Sequence, residues 1–243
     1  RVAFCPNGAP RFERTWLVLG KDGAMPKEGR LRSDFSGFSL PTVKIAASEK
    51  QVSLQTADLR LEIDPQTFSL RWFSADGRAL AADVAEAPYL YDPNDETVGH
   101  NLACTSGGTY YGFGEISGKL NKAGSHILLK NVDNPGYSAK SGSPLYKLIP
   151  FYITYNPDTQ QAFGIFYDNL ATTTFDLNVQ ADGLPEHHRY AAETGDVEYY
   201  FIYGPSMEAV VEKFTKLTGR SILPPRWSLG YMGSTMNYTE AKD

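Results

Sequence analysis

From Lys44 onward, apolar and polar positions follow the short period of β-strands. VKIAAS, QVSLQT, DLRLEID and FSLRWF each alternate, or run β-branched and apolar, and turn residues separate them. Asp64–Thr67 (DPQT) and Ala75–Gly77 (ADG) carry turn chemistry: proline presets φ, glycine supplies φ > 0 and aspartate bonds its own backbone. The pattern predicts a meander of short antiparallel strands. Before Lys44 it is weaker. Phe12–Leu19 (FERTWLVL) reads as a strand, and GKDGAMPKEGR after it as an exposed loop.

Further along, Pro88–Gly99 reads as a loop. Thr109–Glu115 (TYYGFGE) sets two glycines inside an aromatic run, which marks a bulge or a close backbone approach. His126–Asn134 (HILLKNVDN) is a strand running into a turn. Ile149–Tyr155 and Ala162–Tyr167, joined through Asn156, Pro157 and Asp158, predict a hairpin. TTTFDLNVQ and DVEYYFIYG add two more strands.

The period then changes to that of a helix. Ser206 is the predicted N-cap, with Glu208 in the first turn. Met207, Val210, Val211, Phe214 and Leu217 form one apolar face, Lys213 and Lys216 lie towards the end, and Gly219 closes it. Pro224 and Pro225 cannot continue a helix. Beyond them, Trp227–Gly233 (WSLGYMG) reads as a buried strand and Thr239–Lys242 as the start of another helix, with Thr239 or Asn237 as its N-cap. Strand, loop and helix make half of a βαβ unit, whose strand needs parallel neighbours.

The expected architecture is therefore mainly β. Residues 1–222 form a large antiparallel β-sandwich closed by one C-terminal helix. Residues 223–243 form a linker and the first β-strand and loop of a truncated (β/α)8 barrel.

Composition narrows the function classes. The 243 residues carry a net charge of −5 with no Lys/Arg run, which argues against a nucleic-acid partner. No apolar run is long enough for a membrane span. Cys5 and Cys104 are far apart, no CxxC occurs and no histidine lies at ligand spacing from them, so neither a disulfide scaffold nor a structural metal or other cofactor is expected. Aromatic residues make up 13% of the chain, which suits strand packing first and stacking on pyranose rings second.

Three stretches carry a family resemblance. YYGFGE (Tyr110–Glu115), LLKNVDNPGY followed by PLYKLIPFYITYN, and LTGRSILPPRWSLGY resemble, in this order, segments of glycoside hydrolase family 31, the family of α-glucosidases and α-xylosidases. The resemblance is concentrated in residues 109–169 and 197–238. It implies a galactose-mutarotase-like sandwich and a retaining α-glycosidase, most simply an α-glucosidase. The family's nucleophile and its general acid/base are aspartates at barrel-strand ends. They would lie beyond residue 243, so no catalytic residue is assigned here and these residues alone are expected to be inactive.

The resemblance also implies substrate-binding residues. Asp133, in Asn131-Val132-Asp133, matches a loop carboxylate that touches substrate hydroxyls. Its other reading is a turn residue before Asn134-Pro135-Gly136. Thr235 and Met236, with Ser234 and Tyr238 beside them, would stand at the end of the first barrel strand. The implied partners are an α-glycoside or oligosaccharide substrate and the rest of the chain's own barrel. Two alternatives stay open: a free-standing carbohydrate-binding sandwich, and a mutarotase-like sugar epimerase using a His and a Glu, for which Glu115 and His126 are the nominees. His187 and His188 follow Gly183-Leu184-Pro185-Glu186 and read as solvated residues of a hairpin tip. Trp72 and Trp227 read as core or interdomain packing residues, and Arg226 as a partner across the domain boundary.

Overall fold

A computed structural model describes residues 2–4, 10–14, 41–138, 140 and 144–233. Strands β1 (Val2–Phe4) and β2 (Pro10–Arg14) come first. The predicted meander follows as β3 (Lys44–Ala47), β4 (Val52–Gln55), β5 (Leu59–Ile63), β6 (Leu70–Ser74) and β7 (Ala79–Ala82). Next are β8 (Tyr89–Tyr91), β9 (Val98–Ala103), β10 (Thr109–Ile116) and β11 (His126–Leu129). The last strands are β12 (Pro144–Asn156), β13 (Gln161–Tyr167), β14 (Thr173–Val179), β15 (His187–Ala192) and β16 (Val197–Gly204), and helix α1 (Met207–Thr218) closes the sandwich.

The strands make three antiparallel sheets. One has six strands in the order β1-β2-β16-β13-β12-β10, the second runs β11-β14-β15-β9-β8, and the third is the meander β3 to β7. The second and third sheets meet through a lone bridge between Asp83 and Leu102. Inner residues of all three share one core, which includes Leu61, Trp72, Tyr190 and Phe201. Trp72 of the meander stacks on Phe201 of the six-stranded sheet, with ring centroids 4.2 Å apart.

Strands β13 and β16 of the six-stranded sheet are buried on both faces. In β16, Val197, Tyr199 and Phe201 enter the core between the sheets, while Tyr200 and Ile202 pack beneath α1. This explains why DVEYYFIYG reads as a nearly continuous apolar run rather than as a clean alternation. In α1, Ser206 Oγ accepts from the Ala209 amide at 3.3 Å, as a capping residue should. The helix buries a narrower stripe than its pattern predicts. Val210 and Leu217 are buried and Phe214 stacks on Phe151, but Val211 is 45% exposed.

In β10 the two glycines make the expected irregularity. Pairing with β12 slips between Gly112 and Gly114 and again between Gly114 and Ile116. Phe113 takes φ 71°, and its ring turns inward against Tyr152 at 5.3 Å. Gly114 has φ 77°, and a Cβ there would run into the Lys147 carbonyl. Glycine is required on both counts.

Three expectations are corrected. Pro88–Gly99 is not all loop, because Tyr89–Tyr91 pairs with β9 before an Asp92–Glu96 turn. Trp227–Gly233 is not a strand. Arg226–Leu229 forms a 3-10 turn, and Trp227 is 75% exposed. A strand of the barrel type needs parallel neighbours to satisfy its backbone, and no described segment pairs with this one. His187 and His188 are not solvated, as set out below. Thr235 and Met236, with Ser234, Tyr238 and Cys5, lie outside the described residues.

Candidate functional site

The candidate site is built where the chain crosses between sheets. β11 is an edge strand of the second sheet, and β12 belongs to the six-stranded one. The connection between them carries Asn131, Val132 and Asp133. Asp133 is exposed, and its Oδ1 accepts a hydrogen bond from the Tyr146 phenol at 3.0 Å. That bond, with the nearby negative charge, raises the Tyr146 pKa above the ordinary phenol value. Farther along the same loop, Ser117 Oγ donates to the Ser138 carbonyl at 2.9 Å.

Tyr146 itself stands on a fixed strand. The next residue, Lys147, donates its amide to Glu115 Oε2 at 3.1 Å, next to the β10 bulge. A cavity of about 380 Å³ lies between the loop, the start of β12 and the segment after β13, and it is lined by Lys130, Asn131, Tyr146, Pro150 and Leu170 among others. Its far wall is braced by Asn169. The Asn169 side chain donates to the Thr194 carbonyl at 2.9 Å and accepts from the Ala171 amide at 2.8 Å.

This arrangement can recognise hydroxyl-rich ligands. An open carboxylate offers acceptor oxygens to sugar O–H groups, and the half-exposed rings of Tyr137 and Tyr146 offer apolar faces. Among the described residues no group of three His, Cys, Asp or Glu side chains is placed to hold a metal ion. Glu115 and His126 do not act as a pair. Glu115 is spent on the Lys147 amide, and His126 Nδ1 lies 2.5 Å from Asp176 Oδ1 on the neighbouring strand.

The other histidines are buried. His187 and His188 start β15, and His188 Nδ1 accepts from the Asn178 amide at 3.1 Å. Burial, and then the neighbouring His187, push the His188 pKa down to about 4, so the ring is neutral near pH 7. Cys104, 3.9 Å away, is pushed up to about 12 by burial and by Glu186, which makes it an inert thiol. His100 sits at the centre of the core, with Asp83 and Tyr167 as partners. The sequence alone shows no partner for it. The available signal was phase, since His100 alternates with Val98 and Leu102, both core residues of the same strand.

The sequence model for the "Glycosyl hydrolase 31 N-terminal galactose mutarotase-like domain" matches residues 1–176. The chain belongs to glycoside hydrolase family 31. Among curated proteins it is 32% identical over 195 residues to "Alpha-glucosidase 2" of Bacillus thermoamyloliquefaciens, an alignment covering 79% of this chain and 23% of that protein. It is 36% identical over 129 residues to an "Alpha-glucosidase" of Saccharolobus solfataricus, covering 52% of this chain and 18% of the relative. The chain therefore spans about a quarter or less of these relatives. A family 31 dextranase from Flavobacterium johnsoniae, solved with isomaltotriose, superposes on 95% of this chain and 27% of its own, with a TM-score of 0.78 and 25% identity. The glucosidase II alpha subunit gives a TM-score of 0.73 over 95% of this chain at 19% identity, a likeness of fold.

The segments that resemble family 31 now have physical roles. YYGFGE is the bulged strand β10, whose Glu115 secures the start of β12. The LLKNVDNPGY segment supplies the loop that carries Asp133. LTGRSILPPRWSLGY contains the end of α1 and the 3-10 turn.

Proposed function

We propose that this chain is the N-terminal part of a retaining α-glycosidase and supplies part of its sugar-binding wall. The substrate class is terminal α-linked glucose. Hydrolysis runs by double displacement, in which one aspartate attacks the anomeric carbon and a second acts first as acid and then as base. The two carboxyls stand about 5–5.5 Å apart in such enzymes. In this reading both lie on a (β/α)8 barrel beyond residue 243, and residues 1–243 alone turn over nothing. The sandwich ends near residue 222, and residues 223–243 lead into the barrel, where Thr235 and Met236 join the wall.

The observation that carries the reading is Asp133. Its carboxylate is exposed on the loop between sheets, with one oxygen engaged by Tyr146 and the other available to a hydroxyl. Family membership and the names of the relatives, alpha-glucosidases among them, support the reaction class.

The test is to assay a longer chain containing these residues on nitrophenyl α- and β-glycosides of glucose, xylose and galactose. Cleavage of the α-glucoside with net retention, read by NMR of the first-formed sugar, is the expected result. Cleavage confined to β-glycosides would overturn the proposal. Mutarotation by residues 1–243 alone would favour the epimerase reading.

A further inference from the structure

We infer that Tyr146 is the positioning residue for Asp133. The inference rests on Asp133 binding substrate, as proposed above, and adds what makes that binding specific. A carboxylate on an exposed loop has free rotamers, and holding it still before the sugar arrives removes that loss from the binding step. Tyr146 is built to hold it. Its Oη donates to Asp133 Oδ1 at 3.0 Å, a bond to a charged acceptor across 13 residues of chain.

The geometry behind Tyr146 is rigid, and its origin can be followed along the chain. Gly114 permits the bulge in β10, which places Glu115 against the Lys147 amide. The ladder on either side of Tyr146 is fixed by the pairs Gly114 with Leu148 and Ile116 with Pro144. The strand therefore sets where the phenol stands, and the phenol sets where Asp133 Oδ1 stands. The cavity lined by Asn131 and Tyr146 opens beside the loop, and the Tyr146 phenol supplies the strand's hydrogen bond to Asp133 there.

With Oδ1 occupied, Oδ2 is the oxygen presented to a sugar hydroxyl. Tyr146 thus sharpens recognition of the ground state and transition state alike. Losing it raises KM and spares the chemical step.

The experiment uses the longer chain and its preferred nitrophenyl α-glycoside. Tyr146→Phe keeps the ring and removes one O–H from an exposed position, so folding is retained and is checked by the melting temperature. KM is expected to rise roughly 3- to 10-fold, with kcat within about twofold of the parent. In an Asp133→Ala background the same change should add nothing further. Amide hydrogen exchange across residues 131–138 should quicken in Tyr146→Phe without substrate present. Additive losses in the double variant, or parental exchange and KM in Tyr146→Phe beside an impaired Asp133→Ala, would overturn the positioning role alone. Parental KM in Asp133→Ala would overturn the substrate role of Asp133, and this proposal with it.

Discussion

His100 Nε2 lies 2.9 Å from Asp83 Oδ1, and both side chains are fully buried. The pair joins all three sheets. Asp83, which follows the meander, also accepts from the Leu70 amide at 3.0 Å and from the Tyr89 phenol at 3.3 Å. His100 reaches the six-stranded sheet through Tyr167 Oη at 2.7 Å and stacks between Tyr89 and Tyr199. Burial drives the Tyr167 and Tyr199 phenols well above their ordinary pKa, so they remain neutral hydrogen-bonding groups.

Breaking this network should be expensive. His100→Ala leaves the Asp83 carboxylate buried without its ring partner and opens a cavity. The expected loss is about 3–5 kcal/mol, read by urea unfolding. A loss below about 1 kcal/mol would show that the network is incidental to the fold.

His188 makes stability depend on pH. Its pKa is about 4 in the fold against 6.5 as a reference, so the unfolded chain binds the extra proton more readily. Its contribution is complete above pH 6.5 and is lost as pH falls towards 4, by about 3 kcal/mol in all. Unfolding curves between pH 4 and 7 should be flatter in His188→Asn than in the parent by about one proton. Identical slopes would mean that the ring is not held neutral.

Gly114→Ala tests the bulge. The new Cβ meets the Lys147 carbonyl at a φ that disfavours any side chain. A loss of about 2 kcal/mol or more is expected. Because Lys147 directly follows Tyr146 on β12, KM of the longer enzyme should rise with it. Unchanged stability would show that the ladder can shift freely.

Ser206→Ala should cost about 1 kcal/mol, the ordinary worth of an N-cap. The bond it removes is the one from the Ala209 amide. Circular dichroism melts that overlay those of the parent would indicate that packing of Val210 and Leu217 alone holds α1 in place.

Legibility in the sequence followed the locality of the cause. The β12–β13 hairpin and α1 were readable because their turn, cap and period lie within about twenty residues. β8 was hidden in Pro88–Gly99, since three residues between turn formers show no period and pair only through β9. His187 and His188 looked solvated because the turn before them is visible in sequence, while the strands that bury them are distant. Trp227–Gly233 has a strand's composition, but composition cannot supply a pairing partner. At the site, Asp133 was reached through a family motif and not through its own surroundings. Tyr146 stood within a recognised segment, yet its bond to Asp133 is visible only in three dimensions.

The pairing of β2 with β16 has a consequence for how the protein is made. Arg14 faces Val197, so the sheet joins two strands 183 residues apart. On a ribosome adding about 5–20 residues per second, β2 must wait roughly 10–40 s for its partner to be made. During that interval its ladder edge is open, and only later synthesis closes it. The meander β3 to β7, whose pairings are all local, can form in the meantime. Nascent chains halted before β16 should therefore hold a folded meander and an uncommitted β2, a state in which chaperone contact would concentrate at that strand.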